Sequence, residues 1–263
     1  MPELPEVEAV CRNLRSSIIG AMIRRVTVRR CAAESVARLA IGRKIQAVDR
    51  RAKHILVRLS GGHTLHVHLR MTGNFFAIPD WRLHSANARV IFELTGKAGL
   101  VYEDPRALGR LDIVETAKLD TALAKLGPEP LSPEFTAGAF AESARASKLP
   151  AKLFLMDQRK VAGLGNIYAA EALFRAGVDP RKPLARLRRP KLDRLHGEIV
   201  SILEDAIQSA SRSYAGPGAF SEAEDFPLAV YGREGEPCTI CGGTVGRIAQ
   251  GGRSTYFCPR CQR

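Results

Sequence analysis

The chain has 263 residues, 45% of them apolar, which is enough for two compact domains plus a small appendage. Lys and Arg number 40 against 27 Asp and Glu, a net charge of +13 that puts a polyanion, nucleic acid first, ahead of a small neutral ligand. No apolar run reaches bilayer-spanning length, no basic amphipathic segment offers an aromatic face to insert, and no secretory signal is recognisable. The expectation is therefore a cytoplasmic protein with reduced thiols and no membrane partner.

The first six residues are Met1-Pro2-Glu3-Leu4-Pro5-Glu6. If Met1 is removed, Pro2 presents a secondary α-amine titrating near about 7.7–8.0, against about 10.4 for lysine, so a useful fraction is free base at neutral pH and competent to form a Schiff base. Alternatively, the prolines simply start a helix, where a missing N–H costs nothing. Val7, Val10, Leu14 and Ile18 recur at helical spacing up to Gly20, predicting a helix over 3–19 with Glu3 and Glu6 in its opening turn.

From about 22 to 116 the pattern becomes short alternating segments between glycine-containing turns: 22–29, 44–50, 55–59, 63–70, 89–94 and 100–103. They predict an antiparallel two-layer β-sandwich. Lys53 opens a strand in the basic run from Arg50, where by itself it reads as a solvent-exposed charge. His66 and His68 alternate with Leu65, Val67 and Leu69 and read as solvent-side or cleft residues, not metal ligands.

The proline-punctuated stretch 126–133 marks a boundary, after which helices are predicted near 135–146, 150–158, 165–176 and 190–210. The glycine-rich turn Gly163-Leu-Gly-Asn166 runs into the third of these. Its backbone N–H groups, with the Asn166 side chain, can hold a phosphate, or the glycines can simply make a tight turn. Between Arg181 and His196 lie seven Lys or Arg and one Asp, which fits a polyanion site or a solvated helix face. Residues 213–229 form a loop without periodicity.

Cys238-x-x-Cys241 and Cys258-x-x-Cys261, separated by 16 residues, match the zinc-ribbon spacing, and four thiolates make a closed structural site with no position for a catalytic water. Two disulfides are the alternative, disfavoured by a reducing compartment. Past Glu236 there are four Arg and no acid, so the hairpin is suited to phosphates. Cys11 and Cys31 lie outside the pattern and read as buried or half-buried thiols.

Pro2-Glu-Leu-Pro-Glu6, Arg51-Ala-Lys-His54, His68-Leu-Arg-Met-Thr-Gly73, Asp104-Pro-Arg-Ala-Leu-Gly109, Gly163-Leu-Gly-Asn-Ile-Tyr168 with Glu171, and Gly252-Arg-Ser-Thr-Tyr-Phe-Cys258 stand in this order. Together they resemble the formamidopyrimidine-DNA glycosylase family, repair enzymes for oxidised bases, over the whole chain. The resemblance implies an α+β fold with three parts. These are a catalytic β-sandwich with a leading helix over 1–126, a helical helix–two-turn–helix domain over 127–229, and a zinc hairpin over 230–263.

It implies further that Pro2 attacks the sugar C1′, that Glu3 assists ring opening, that Lys53 contacts phosphate and serves β-elimination, and that Arg253 clasps the phosphates and serves δ-elimination. Met71, Arg106 and Leu108 match the trio that fills the stack after the nucleotide is flipped out. Arg89, Lys152, Asn166 and Tyr231 match backbone contacts. The partner implied is double-stranded DNA with damaged bases or abasic sites, held by a monomer in a basic cleft between the domains, with one structural zinc and no other cofactor.

Three positions depart from the family pattern. Leu108 replaces the Phe of guanine-lesion enzymes, Arg70 stands where a glycine usually precedes the methionine, and Arg89 takes the place of a phosphate-contacting histidine. The 213–229 loop is a few residues short of a base-capping loop. The resemblance implies oxidised purines of the formamidopyrimidine and 8-oxoguanine type as the lesions; the alternative these departures raise is a range shifted from strict 8-oxoguanine specialisation toward oxidised pyrimidines or mainly abasic sites. The competing readings are a non-catalytic binder of damaged DNA and a zinc-ribbon protein of RNA.

Overall fold

The computed structural model describes residues 1–29, 34–214, 216–217, 223 and 225–263. Cys31 and residues 215, 218–222 and 224 of the expected capping loop lie outside the described residues. The described chain groups into two compact units: Met1–Lys125 with Ser209–Glu224, and Leu126–Gln208 with Asp225–Arg263.

The first unit begins with α1 (Leu4–Ile18), whose start is fixed by a capping box in which Glu6 accepts the Glu3 N–H at 2.7 Å. Its apolar stripe of Val7, Val10, Leu14 and Ile18 is fully buried, and the chain turns away at Gly20, φ +90°. Then come β1 (Ile23–Val28), α2 (Glu34–Ala40), β2 (Ile45–Arg51), β3 (His54–Leu59), β4 (His63–His68) and β5 (Asn74–Ile78). They are followed by β6 (Ala88–Leu94), β7 (Gly99–Glu103), β8 (Arg110–Glu115) and α3 (Thr116–Leu123).

Two four-stranded antiparallel sheets result, ordered β1-β6-β7-β5 and β2-β3-β4-β8. One hydrophobic cluster takes Ile55, Val57, Leu65 and Val67 from the second sheet and Phe75, Val90, Phe92 and Leu100 from the first, so the layers share a core. α1 packs against β2 and β5, one strand of each sheet. Glu8 on α1 anchors it to β2 through Arg50 (3.0 Å), and Arg15 bonds both Glu8 (2.7 Å) and the Val48 carbonyl (2.7 Å).

Four elements go beyond those the sequence pattern predicts. β5 is buried on both faces, so the period-two alternation that signals a half-buried strand is missing. β8 alternates, but it runs into α3 at Thr116 with no Gly or Pro between them. α2, of seven residues, and α3, of eight, are too short for helical periodicity to stand out.

The second unit contains α4 (Ala137–Arg145), α5 (Ala151–Met156), α6 (Asn166–Ala176), most of α7 (Arg189–Ser213), β9 (Gly246–Gln250) and β10 (Arg253–Phe257). Thr136 caps α4 by accepting the Ala139 N–H at 3.1 Å. A Schellman turn at Gly177 (φ +66°) ends α6, with the Val178 N–H on the Leu173 carbonyl. The β9–β10 hairpin closes at Gly251-Gly252, both at positive φ (+54° and +72°), as a two-residue type I′ turn requires.

Candidate active site and zinc hairpin

In the first unit the N-terminal carboxylates are enclosed: Glu3 is 2% exposed and Glu6 1%. Glu6 divides its two oxygens between the Glu3 N–H and the Ala223 N–H (3.2 Å), tying the helix start to a residue of the expected capping loop. Pro2 is buried immediately before this cap.

Lys53 lies in the two-residue turn joining β2 to β3, where Arg51 pairs with His54. It is only 6% exposed, which corrects its reading as a plain solvated charge, since lysine is rarely buried so deeply without a purpose or partner. The preceding Ala52 takes φ +52°. Left-handed backbone recurs at Arg70 (φ +53°), before Met71, and at Ala107 (φ +54°), before Leu108. Three of the expected site residues thus each follow a non-glycine residue in a region that costs such residues about 1–2 kcal/mol, strain of the kind that collects at functional sites.

Met71 (48% exposed) and Leu108 (46%) project from separate loops, 69–73 and 104–109. Both loops meet at Asp104, a 1% exposed carboxylate that accepts from the Thr72 hydroxyl at 2.6 Å and the Gly109 N–H at 2.7 Å. Arg89 is half-buried and directs Nε at the Asp104 carbonyl (2.7 Å) and Nη2 at that of Pro105 (3.3 Å). These donors brace the loop carrying Arg106 and Leu108. Arg106 itself is exposed.

Beside Lys53 the two strands bring three imidazoles together. His54 pairs in register with His68, its Nδ1 lies 2.7 Å from His66 Nε2, and its ring packs against those of His66 and His68 at 4.9 and 4.8 Å. Burial first, then the charges of His68, His66, Arg70 and Arg51, push His54 down to about 3. Burial, then Arg70 and Lys53, pushes His68 down to about 4, and burial lowers His66. The cluster is neutral at physiological pH, and among the described residues only the four cysteines have metal-site geometry.

In the second unit, Cys238, Cys241, Cys258 and Cys261 place their sulfurs within 4.8 Å of one another, with 3.8 Å between Cys238 and Cys261 and 3.6 Å between Cys241 and Cys258. Tetrahedral zinc with arms of about 2.3 Å has edges of about 3.8 Å, so these thiols fit one structural zinc. Without the metal the thiols share their charge unequally: a bond from the Gly243 backbone first of all draws Cys241 down to about 7, while the hydrogen bond with Cys241 first of all pushes Cys261 up to about 12.

The turn before α6 is stapled by Gln158, which donates to the Met156 and Leu164 carbonyls (3.0 and 2.7 Å) and accepts the Gly163 N–H (2.8 Å). Lys152, expected to contact DNA, is instead fully buried, with Nζ on the Ser254 carbonyl (2.6 Å) and the Thr255 hydroxyl (2.7 Å). In this position Lys152 holds β10 behind Arg253. Asn166 Nδ2 adds a third bond, to the Ser254 carbonyl at 3.1 Å, while Arg253 remains exposed at the hairpin turn.

Glu171 accepts the N–H groups of Ala229, Val230 and Tyr231 at 2.8–2.9 Å, and the Tyr231 ring meets Tyr256 of β10 edge-on at 5.2 Å. Lys152, Asn166, Tyr231 and Arg253 therefore converge on the hairpin. Sequence reasoning gives Glu171 no role and misses Gln158, Thr72 and the carboxylate of Asp104. An acid inside the buried run 167–174 of α6, as Glu171 is, is the signal available for the first of these.

Comparison with known proteins agrees with this arrangement. Family models match the formamidopyrimidine-DNA glycosylase N-terminal domain over residues 1–111, its H2TH domain over 126–215, and the zinc finger found in FPG and IleRS over 235–263. The formamidopyrimidine-DNA glycosylase of a Ruegeria species is 39% identical across all of both chains. That of Thermus thermophilus is 41% identical over all of this chain and 98% of its own. The Lactococcus lactis enzyme bound to abasic-site DNA superposes with a TM-score of 0.88 at 32% identity, covering 99% of each chain. A variant of it bound to Fapy-dG DNA gives 0.89 at 32% identity, covering both chains fully. The chain belongs to the formamidopyrimidine-DNA glycosylase family.

Proposed function

We propose that Pro2, freed by removal of Met1, is the nucleophile of this enzyme. The chain is a base-excision-repair DNA glycosylase for oxidised purines with abasic-site lyase activity. The observation that carries the assignment is the position of Pro2 directly before a capped helix whose two first-turn carboxylates are enclosed in protein.

The free amine attacks the sugar C1′, and the N-glycosidic bond breaks as the base leaves with a proton. Glu3 supplies the proton that opens the ring, so that an iminium links Pro2 to the sugar. The iminium draws electrons from C1′ and acidifies the C2′ hydrogen. Loss of that proton breaks the C3′–O bond and expels the 3′ phosphate by β-elimination, and loss of the C4′ proton, acidified through the new C2′=C3′ double bond, then breaks the C5′–O bond and releases the 5′ phosphate by δ-elimination.

Lys53, in the strand turn, holds phosphate and serves the first elimination. Arg253, exposed at the Gly251-Gly252 turn, clasps the flanking phosphates. Zinc, when bound, fixes the hairpin that presents Arg253 and takes no part in bond making. We assign residues 1–126, 127–229 and 230–263 to the catalytic sandwich, the helical domain and the zinc hairpin, and place the enzyme at cytoplasmic DNA as a monomer. Among the described residues, no helix is long and apolar enough to cross a membrane.

Sodium borohydride tests the reading on a duplex with one abasic site. Wild type is expected to give a covalent adduct that peptide mapping places on Pro2, and Pro2→Gly to lose or redirect it. An adduct mapped to a lysine in wild type overturns the assignment. The absence of any adduct favours the non-catalytic binder of damaged DNA.

A further inference from the structure

The two exposed apolar residues proposed to fill the vacated stack, Met71 and Leu108, stand on loops that are separate in sequence and lie in the same unit. Each loop is closed on itself. The Gly73 N–H returns to the Leu69 carbonyl (2.9 Å), and the Ala107 N–H returns to that of Asp104 (3.2 Å). A methyl group at Gly73 would fall 2.6 Å from the Leu69 carbonyl, and one at Gly109 would fall 2.2 Å from the buried Tyr102 hydroxyl, so neither turn has room for a side chain as it stands. A cavity of about 360 Å³ lined by Met71, Thr72 and Pro105 lies against both loops, so packing does not fix their spacing on that side. Strand pairing fixes the bases of the two loops, His68 opposite Arg110 and Asn74 opposite Glu103, and above those bases the bond from the Thr72 hydroxyl to Asp104 Oδ1, at 2.6 Å, crosses from one loop to the other.

The carboxylate has no freedom to swing. Its second oxygen is held by the Gly109 N–H at 2.7 Å and lies 3.4 Å from the Tyr102 hydroxyl, while the Asp104 carbonyl is held by Arg89. An acid fixed at these points in one loop, with one oxygen left for a hydroxyl of the other, is a clasp. We propose that Asp104 is a positioning residue that, through Thr72, joins the two loops so that Met71 and Leu108 enter the duplex as one unit. The left-handed Arg70 and Ala107, one directly before each apolar residue, are the hinges the clasp holds in register. This rests on the reading of Met71 and Leu108 as stack-filling residues.

The test is a substitution cycle on the full-length zinc-loaded protein. It is read by single-turnover excision of an oxidised purine and by 2-aminopurine fluorescence beside the lesion. With the clasp intact, losing either residue disables the unit. If Met71→Ala and Leu108→Ala each slow excision by about tenfold, the double variant should also slow it by about tenfold, not about a hundredfold. In a Thr72→Val background the same two changes should become multiplicative, about a hundredfold together. Thr72→Ser should restore the wild-type pattern, which a purely structural loss of the threonine would not.

Equal coupling in the wild-type and Thr72→Val backgrounds overturns the inference, as does multiplicative behaviour in wild type. If neither Met71→Ala nor Leu108→Ala changes the excision rate or the fluorescence, the stack-filling reading itself fails, and this inference fails with it.

Discussion

Arg70 occupies, at φ +53°, the position where the family pattern has a glycine, and that backbone angle explains the glycine. Arginine there forfeits about 1–2 kcal/mol to the clash between its Cβ and the carbonyl. Arg70→Gly removes that clash but gives the unfolded chain more freedom, so a net gain of about 0.5–1 kcal/mol should appear as a raised urea midpoint. No gain would mean that the arginine side chain makes contacts worth as much as the strain. On activity, Arg70→Gly and Leu108→Phe should both raise the ratio of 8-oxoguanine excision to abasic-site cleavage, because an abasic site has no base to extrude. If neither raises it, the departures are neutral for lesion choice.

The histidine cluster gives a second residue-scale prediction. The unfolded chain takes up protons near the ordinary histidine value of 6.5, whereas folded His54 and His68 do so only near about 3 and about 4. Between those values the unfolded state binds more protons, so stability is full above about pH 6.5 and falls as pH drops through the window toward 4. His54→Gln should flatten the dependence of the urea midpoint on pH over that window. An unchanged profile would place the acid sensitivity elsewhere.

What is legible at this scale is chemistry carried by residue type and local spacing: the terminal proline, the four cysteines and the arginine in a Gly-Gly turn. Asp104 and Thr72 stand in the sequence only as letters of motifs, because their bond joins positions 32 apart that no periodicity relates. Lys152 matches a motif yet points inward, and only its burial against Ser254 and Thr255 reveals that.

Among the elements, the helices of the second unit and most strands follow from apolar period and glycine punctuation. β5 escapes because both of its faces are buried, and β8 because nothing interrupts its passage into α3. The hairpin depends on more than its metal, since α5 and α6 grip β10 through Lys152 and Asn166, and Glu171 holds the approach at 229–231. Lys152→Met should remove a charged donor from two acceptors, costing about 1.5–3 kcal/mol per such bond. A chelator should then strip zinc faster than from wild type, read by a colorimetric indicator. Cys258→Ser should abolish zinc binding and DNA affinity together while leaving the first unit folded. An unchanged zinc-release rate in Lys152→Met would show that the knuckles hold the hairpin alone.

For the whole molecule, a net charge of +13 sets the sign of the partner but overstates how many cations reach it. In the basic run after 180, Arg181 pairs with Asp179 (2.8 Å) and stacks on Phe257, Arg189 pairs with Asp193 (2.7 Å), and Arg194 meets Glu198 (3.8 Å). Three of the seven cations in that cluster are thus internally paired. Phosphate contacts by Lys53, Arg89, Arg106, Lys152 and Arg253 together would give a log–log salt slope of about −4.5, at about −0.9 per neutralised phosphate. If Lys152 keeps its bonds to β10 and Arg89 its bonds to the 104–109 loop when DNA binds, the expected slope is about −2.7. The slope separates a residue that touches phosphate from one that holds such a residue in place. Arg253→Ala should weaken binding and flatten the slope by about 0.9, whereas Lys152→Met and Arg89→Ala should weaken binding with the slope unchanged. If Lys152→Met flattens the slope as Arg253→Ala does, the lysine leaves its buried bonds for a phosphate when DNA binds, and its role as a brace is wrong.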